Sequence, residues 1–322
     1  MEPSDVPFVD ESRDPQGFKA YGSSAQAGKP EVPWNAARDK PKKKKTKKKK
    51  GDIVGHDPNK PKNPNPINRQ AAGITAQTMY GARMARPDLL RCVSNLSTYL
   101  TCWTNREDKK LLKMIQFINS SADIKQVGFI GDSPENLTLR LFVDSDFAGD
   151  RRDMKSTSGV MLALWGPHSF FPLGSICKKQ TAMSNSSSEA EMIAMHLGLR
   201  KMGYPALDLW DLVMKSITGK RMEMEVWEDN QTCASIVRTG KTNELRHVHR
   251  VHGVNICAVH DSFAKKLFKL KDCHTKAQAA DIFTKYFTDP IAWRHVSSLV
   301  GMVSGRLSRW IVDLSKSQEK RK

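Results

Sequence analysis

The reading of this chain turns on one stretch, Leu137-Thr-Leu-Arg-Leu-Phe-Val-Asp-Ser-Asp-Phe-Ala-Gly-Asp150. Leu137, Leu139, Leu141 and Val143 alternate with Thr138, Arg140, Phe142 and Asp144. That is the period of two which places successive side chains on opposite faces of a strand. The apolar pattern stops at Asp144. An acid at a strand's end gains nothing from packing and is better explained by a cation.

The texture on either side extends the strand into a domain. Gly159–Trp165, followed by Pro167, and Phe170–Cys177, containing Pro172 and Gly174, predict an antiparallel meander with bulged or edge positions. Ser187–Met202 reads as a helix, with Met192, Met195, Leu199 and Met202 on one stripe and Ser186–Ser188 as N-cap candidates before Glu189. Glu223–Trp227 predicts a short strand leading into a helix over Asn230–Arg238 that Gly240 stops. Val248–Lys265 reads as a long helix, Leu267–Leu270 as a strand and Gln278–Tyr286 as a final helix. The expected fold class is α/β over residues 123–290, a mixed five-stranded sheet flanked by helices. Upstream, Met79, Leu89, Leu90, Val93, Leu96, Tyr99 and Leu100, then Leu111, Leu112, Ile115 and Ile118, fall at helical spacing, predicting a small helical segment over 70–122.

The ends differ in composition. Residues 1–69 hold 16 Lys+Arg against 9 Asp+Glu, with nine lysines in the eleven positions Lys40–Lys50 and seven prolines around them. Such a segment buries too little apolar surface to offset its ordering entropy, so a disordered arm is expected there, and a basic tail over 291–322. Across 322 residues the net charge is +18, and 39% of residues are hydrophobic, a balance that suits a polyanionic partner. No apolar run reaches the roughly 18 residues of a membrane helix, and the acidic first 20 residues lack a secretory h-region. Cys92, Cys102, Cys177, Cys233, Cys257 and Cys273 form no CxxC pair. They read as reduced intracellular thiols.

Four acids fall at element ends, where a scaffold can aim them at one point: Asp144, Glu191 in Ser188-Glu-Ala-Glu-Met-Ile-Ala194, Asp229 in Trp227-Glu-Asp-Asn-Gln231, and Asp281 in Ala279-Ala-Asp-Ile-Phe-Thr-Lys285. Clustered carboxylates repel one another unless a cation neutralises them. Mg²⁺ prefers oxygen ligands, and two ions about 3.5–4 Å apart clamp the attacking and leaving oxygens of a phosphodiester displacement. Spacing alone makes this a weak signal, because any α/β domain carries acids at strand ends.

The local words are more specific. Val143-Asp-Ser-Asp-Phe-Ala-Gly-Asp150, Lys155-Ser-Thr-Ser-Gly159, Lys178-Lys-Gln180, Ser186-Ser-Ser-Glu-Ala-Glu191, Asp229-Asn-Gln231 and Ala280-Asp-Ile-Phe-Thr-Lys285 occur in one order. Together they resemble the ribonuclease H domain of Copia-type retrotransposon polyproteins. Met79-Tyr-Gly-Ala-Arg-Met-Ala-Arg-Pro-Asp88 resembles the connection that follows the reverse-transcriptase palm. The resemblance implies an RNase H-like fold that hydrolyses the RNA strand of RNA–DNA hybrids with two Mg²⁺ ions, Mn²⁺ being an alternative. One ion activates water, the other stabilises the leaving 3′-oxygen, and Asp144, Glu191, Asp229 and Asp281 are the implied catalytic metal ligands. Glu189 is then a solvated helix-start acid, and Asp146 and Asp150 are turn residues. No Tyr-x-Asp-Asp word, integrase signature or zinc-knuckle spacing occurs, and Arg246-His-Val-His-Arg-Val-His252 replaces the family's Lys-His-Ile-Asp-like helix start. The chain thus resembles an isolated or degenerate tail of an element, whose polymerase would be encoded elsewhere.

Other features carry further expectations. His247, His249 and His252 do not share one helix face and read as a cationic, partly exposed helix. His274, in a loop before Asp281, is a candidate proton shuttle. Lys155, Lys178 and Lys179, with Arg151 and Arg152, are candidate phosphate contacts along the hybrid. Asn230 and Gln231 are candidate minor-groove contacts, where 2′-hydroxyls mark RNA. The Lys40–Lys50 run fits nuclear import or nucleic-acid tethering in an intracellular, membrane-free protein, cytoplasmic or nuclear. Two competing readings are a non-catalytic nucleic-acid-binding relic and a basic interaction subunit of a retroelement.

Overall fold

Alternation along the central strands divides the protein into layers. In the computed structural model, which describes residues 3–10, 66–150, 153–242, 245 and 247–304, five strands form one sheet. These are β1 (Thr138–Asp146), β2 (Thr157–Gly166), β3 (Ser169–Lys179), β4 (Met224–Glu228) and β5 (Lys269–Asp272). Their order is β3-β2-β1-β4-β5, antiparallel across β3, β2 and β1 and parallel across β1, β4 and β5. This is the mixed five-stranded, helix-flanked α/β sheet that the sequence predicts. Pro172 sits on the edge strand β3, where its missing N–H costs no ladder bond, beside a bulge at Leu162/Ala163.

Leu139, Leu141 and Val143 of β1 and Val160, Leu162 and Leu164 of β2 face one core. That core is closed by α4 (Ser187–Gly198), α5 (Tyr204–Thr218), α6 (Gln231–Thr239), α7 (Val248–His252) and α8 (Ile256–Ala264). Phe142, Met161 and Ala163, at the intervening positions, face a second core. It is closed by α1 (Pro66–Met84), α2 (Leu90–Ser97), α3 (Asn105–Ser120) and α9 (Pro290–Leu299). The upstream helical segment is therefore a layer of the same folded body, packed on the sheet through α2.

Several elements depart from the sequence expectation, each for a local reason. The helix expected over Ser187–Met202 leaves α geometry at Gly198, passes through a π-turn (Leu199–Gly203) and continues as α5, which the periodicity left unassigned. The helix expected over Val248–Lys265 is two: Gly253 adopts φ 67°, reserved largely for glycine, and Asn255 caps α8 through the Ala258 N–H. The helix expected over Gln278–Tyr286 is a single 3₁₀ turn, Ala279–Phe283, preceded by another at Thr275–Ala277. Gln278 interrupts them because its side chain is committed: Nε2 donates to the Val143 carbonyl at 2.9 Å, and Oε1 accepts the Ala280 N–H at 3.3 Å.

The termini are corrected in part. Within the expected basic tail, residues up to 304 are folded: Trp293 and Val296 of α9 are buried, and Met302–Ser304 pairs antiparallel with Ile124–Gln126. Within the expected disordered arm, Pro66 already begins α1, and residues 3–10 are packed. The buried Phe8 ring stands edge-on to Tyr286 at 5.2 Å and to Trp293 at 5.6 Å. The Lys40–Lys50 run, Arg151 and Arg152, and residues 305–322 lie outside the described residues. Among the described residues, no helix is long and apolar enough to cross a membrane.

Candidate active site

Three elements bring three acids together. Asp144 is the seventh residue of β1, Glu191 lies in the second turn of α4, and Asp229 follows the last residue of β4. Because β1 and β4 run parallel and adjacent, their carboxyl ends open at the same edge of the sheet. The start of α4 faces that edge. One carboxylate oxygen from each of Asp144, Glu191 and Asp229 lies within 4.8 Å of the others.

Asp281 stands outside this trio. On the 3₁₀ turn beside β1, its Oδ1 is 2.6 Å from Lys285 Nζ, which is also 3.9 Å from Asp144 Oδ1. The Thr284 hydroxyl donates to Asp144 Oδ2. The close approach of this turn depends on Gly159, the cross-strand partner of Asp144. A Cβ there would sit 2.7 Å from Thr284 Cγ2 and 2.8 Å from the Ala280 carbonyl. That explains physically why the Lys155–Gly159 word ends in glycine.

The spacing reading missed a further acid. Glu228, the last residue of β4, is fully buried; its Oε1 accepts the Asn230 N–H at 3.0 Å, while Oε2 has no partner. Its sequence signal was present in Trp227-Glu-Asp-Asn-Gln231, but a period-two strand assigns no function to an inward glutamate. Burial pushes the Glu228 carboxyl well up, with Asp229 and Asp144 adding to the rise. Burial also raises Glu191, helped by Glu228, Asp144 and Asp229, and raises Asp144 against the opposition of Lys285 and Thr284. Asp281 is pushed up to about 7, by burial first and then by Asp144. Burial first, and then Asp229 and Asp281, push the Cys273 thiol up to about 12.

The donor set fits a hard divalent cation. Its ligands are carboxylate oxygens, and Glu191 Oε2 is buried with no hydrogen-bond partner, a position that a cation satisfies and water-free burial does not.

The electrostatics give a stability prediction. A carboxyl whose pKa rises on folding favours the folded state only while protonated, so its contribution fades as pH climbs from its unfolded value through its folded one. For Asp281 that window runs from 3.8 to about 7, and for Glu191 and Glu228 it extends higher. In chelator the melting temperature is expected to fall between about pH 5 and pH 8, and Glu228→Gln should flatten that fall. A pH-independent melting temperature in both proteins contradicts this assignment.

The other expected contacts are distributed as follows. Lys178 is exposed on β3 and Lys155 is half-buried. Lys179 is engaged within the protein, paired with Asp150 and 2.9 Å from Asp153. Asp146 pairs with the buried Arg91 of α2 at 2.6 Å. Asn230 caps α6 through the Cys233 N–H and donates to Ser187 Oγ at 3.2 Å, while Gln231 is exposed. His274 is exposed, and its Nδ1 accepts the Lys276 N–H at 3.1 Å, which leaves the neutral ring's proton on Nε2. Two expectations are corrected. Glu189 is fully buried, not solvated, and faces His247 and His252, while His252 is enclosed instead of lying on an exposed cationic helix. All six cysteines are free.

No family model matches the chain. Over 119 residues it is 33% identical to a "Retrovirus-related Pol polyprotein from transposon RE2" of Arabidopsis thaliana. It is 31% identical over 119 residues to the transposon RE1 counterpart of the same plant. Each alignment covers 37% of this chain, which spans only 8% of either relative's length. Two solved structures, each 12% identical, also align with it. LC11-RNase H1, isolated from compost, covers 46% of this chain and 92% of its own, with a TM-score of 0.29. The N-terminal RNase H domain of Rv2228c from Mycobacterium tuberculosis covers 50% and 97%, with a TM-score of 0.31. The chain is thus similar, over rather more than a third of its length, to a short part of the Pol polyproteins of plant retrotransposons.

Proposed function

We propose that the folded body is a metal-dependent endonuclease of Copia-type retroelement origin that hydrolyses the RNA strand of RNA–DNA hybrids. One observation carries the reading: oxygens of Asp144, Glu191 and Asp229, from three separate elements, lie within 4.8 Å of one another. Asp144, Glu191 and Asp229 would hold divalent cations, Mg²⁺ or Mn²⁺, and Asp281 would complete a second position if Lys285 turns aside. Two such ions, when bound, supply an activated water and charge stabilisation at the leaving oxygen.

The chain's own residues do the rest. Asp144 is oriented by the Thr284 hydroxyl, and Lys285 places a positive charge between Asp144 and Asp281, where a phosphate must approach. Lys178 and Lys155 flank the opening as phosphate contacts, and Gln231, at the exposed start of α6, reaches toward the minor groove. His274, exposed in the loop before Asp281, would serve as a proton shuttle, and breaking the bond to the 3′-oxygen leaves a 5′-phosphate on the RNA product. A reverse-transcriptase polymerase domain would supply the hybrid.

The test is incubation of the full chain with an end-labelled RNA–DNA hybrid, with Mg²⁺ and with chelator. Mg²⁺-dependent cleavage of the RNA strand alone is the expected result. Binding of the hybrid without cleavage in either Mg²⁺ or Mn²⁺ would replace this reading with that of a non-catalytic nucleic-acid-binding relic.

A further inference from the structure

Glu189 lies two residues before Glu191 and has no exposed side-chain surface. A buried carboxylate needs partners for its charge. Its Oε2 accepts the Asn185 N–H at 2.9 Å, and its Oε1 lies 3.2 Å from His247 Nε2 and 3.1 Å from His252 Nε2. Both rings belong to one short segment, α7 and the residue before it, which the buried Val248 and Val254 fasten into the core beneath. Gly253 turns the chain away directly after His252. The His252 ring is 1% exposed and neither of its nitrogens forms a hydrogen bond, so it meets Glu189 as a close contact at 3.1 Å.

The next residue of α4 is gripped from the sheet side. Gln180 Nε2 donates to the Ala190 carbonyl at 3.0 Å and to Ser158 Oγ at 3.0 Å, while its Oε1 accepts the Ser184 hydroxyl at 2.9 Å. Consecutive residues are therefore held on two flanks, Glu189 by the α7 segment and Ala190 by Gln180, the residue after β3, which is tied to Ser158 of β2. The residue that follows them is Glu191.

We propose that His247 and His252 are positioning residues. Acting through Glu189, they fix the rotation of the first turn of α4 and so aim the Glu191 carboxylate at Asp144 and Asp229. The inference rests on the metal site of the nuclease reading. Partners that orient ligands from behind typically change metal affinity by about 10–100-fold when removed. A side chain serving only to fill space would change stability alone.

The test measures Mn²⁺ binding by calorimetry to the full chain and to its His252→Ala and His252→Gln variants, alongside melting temperature and the Mg²⁺ dependence of hybrid cleavage. In His252→Ala, Mn²⁺ binding is expected to weaken about tenfold. The Mg²⁺ needed for half-maximal cleavage should rise by a similar factor, with the rate at saturating Mg²⁺ close to the parent's. His252→Gln, whose amide nitrogen falls near the place of Nε2, should recover most of the affinity. Unchanged Mn²⁺ affinity in His252→Ala, or equal loss in both variants, overturns the clasp and leaves the nuclease reading standing. A parent chain that binds no Mn²⁺ overturns the metal site itself. Should His252→Ala fail to fold, His247→Ala, whose ring is 38% exposed, carries the same comparison.

Discussion

Asp144→Asn is expected to lower hybrid cleavage by about 10³-fold or more, since losing several kcal/mol of charge stabilisation costs a factor of ten per 1.4 kcal/mol. Asp144 is the acid through which the others meet. It lies within 4.8 Å of Glu191 and Asp229, and Lys285 joins it to Asp281. An asparagine keeps the shape and can still accept from Thr284, but it removes one charge from the ligand set. The same substitution should raise the melting temperature of the metal-free protein. Burial pushes the Asp144 carboxyl up, so its ionised form works against folding near neutral pH. Lower activity with higher apo stability separates a metal ligand from a structural acid, because loss of a structural acid lowers both. Hybrid binding in Ca²⁺ should persist. Unchanged cleavage removes Asp144 from the chemistry.

Period-two alternation over Leu137–Asp144 identified β1, and turn chemistry at Pro172 and Gly174 identified the edge strand, because both signals are local. The helices were legible where their burial is one-sided and illegible where a side chain or a glycine overrode the period. The expected last helix starts instead as a 3₁₀ turn capped by Gln278, whose amide serves the Val143 carbonyl 135 residues away in sequence. No periodic pattern contains such a contact.

The site divides along the same line. Asp144, Glu191 and Asp229 stand at the ends of elements, and element ends can be read in a sequence. That their oxygens converge follows from the parallel pairing of β1 with β4, which is a non-local fact. Glu189 and Glu191 look alike in Ser188-Glu-Ala-Glu191, and both are buried. One turns toward two histidines and the other toward two aspartates. Two residues of helix separate their directions by about 200°, so identical chemistry in sequence becomes different chemistry in space. Glu228 was missed, and His252 read as exposed, because the direction of a polar side chain is not written in the sequence until its partner is known.

A chain begun at residue 123 should lose the cooperative native fold, although it holds all five strands of the main sheet and the four expected acids. The sheet has two apolar faces, and α1 to α3 cover the one that carries Phe142, Met161 and Ala163. Leu89, Leu90, Val93, Leu96, Leu111, Met114 and Phe117 supply that cover, each no more than 3% exposed. Burial of one such side chain is worth about 1.5–3 kcal/mol, so the layer outweighs the roughly 5–15 kcal/mol of net stability that a domain possesses. The loss also reaches the site's edge. Arg91, buried beneath Tyr286 at 4.4 Å from the ring centre, donates to Asp146 at 2.6 Å and to Thr157 at 2.8 Å, two residues beyond Asp144 on β1 and two before Gly159 on β2. The expected outcome is an insoluble product, or a soluble one that binds a hydrophobic dye and lacks a cooperative melt. A chain begun at residue 123 that melts as sharply as the parent would show that α1 to α3 are an appended module. In that case Phe142 and Met161 must find other cover, and the residues left to supply it, α9 and the Ala279–Phe283 turn, become the place to look for the rearrangement.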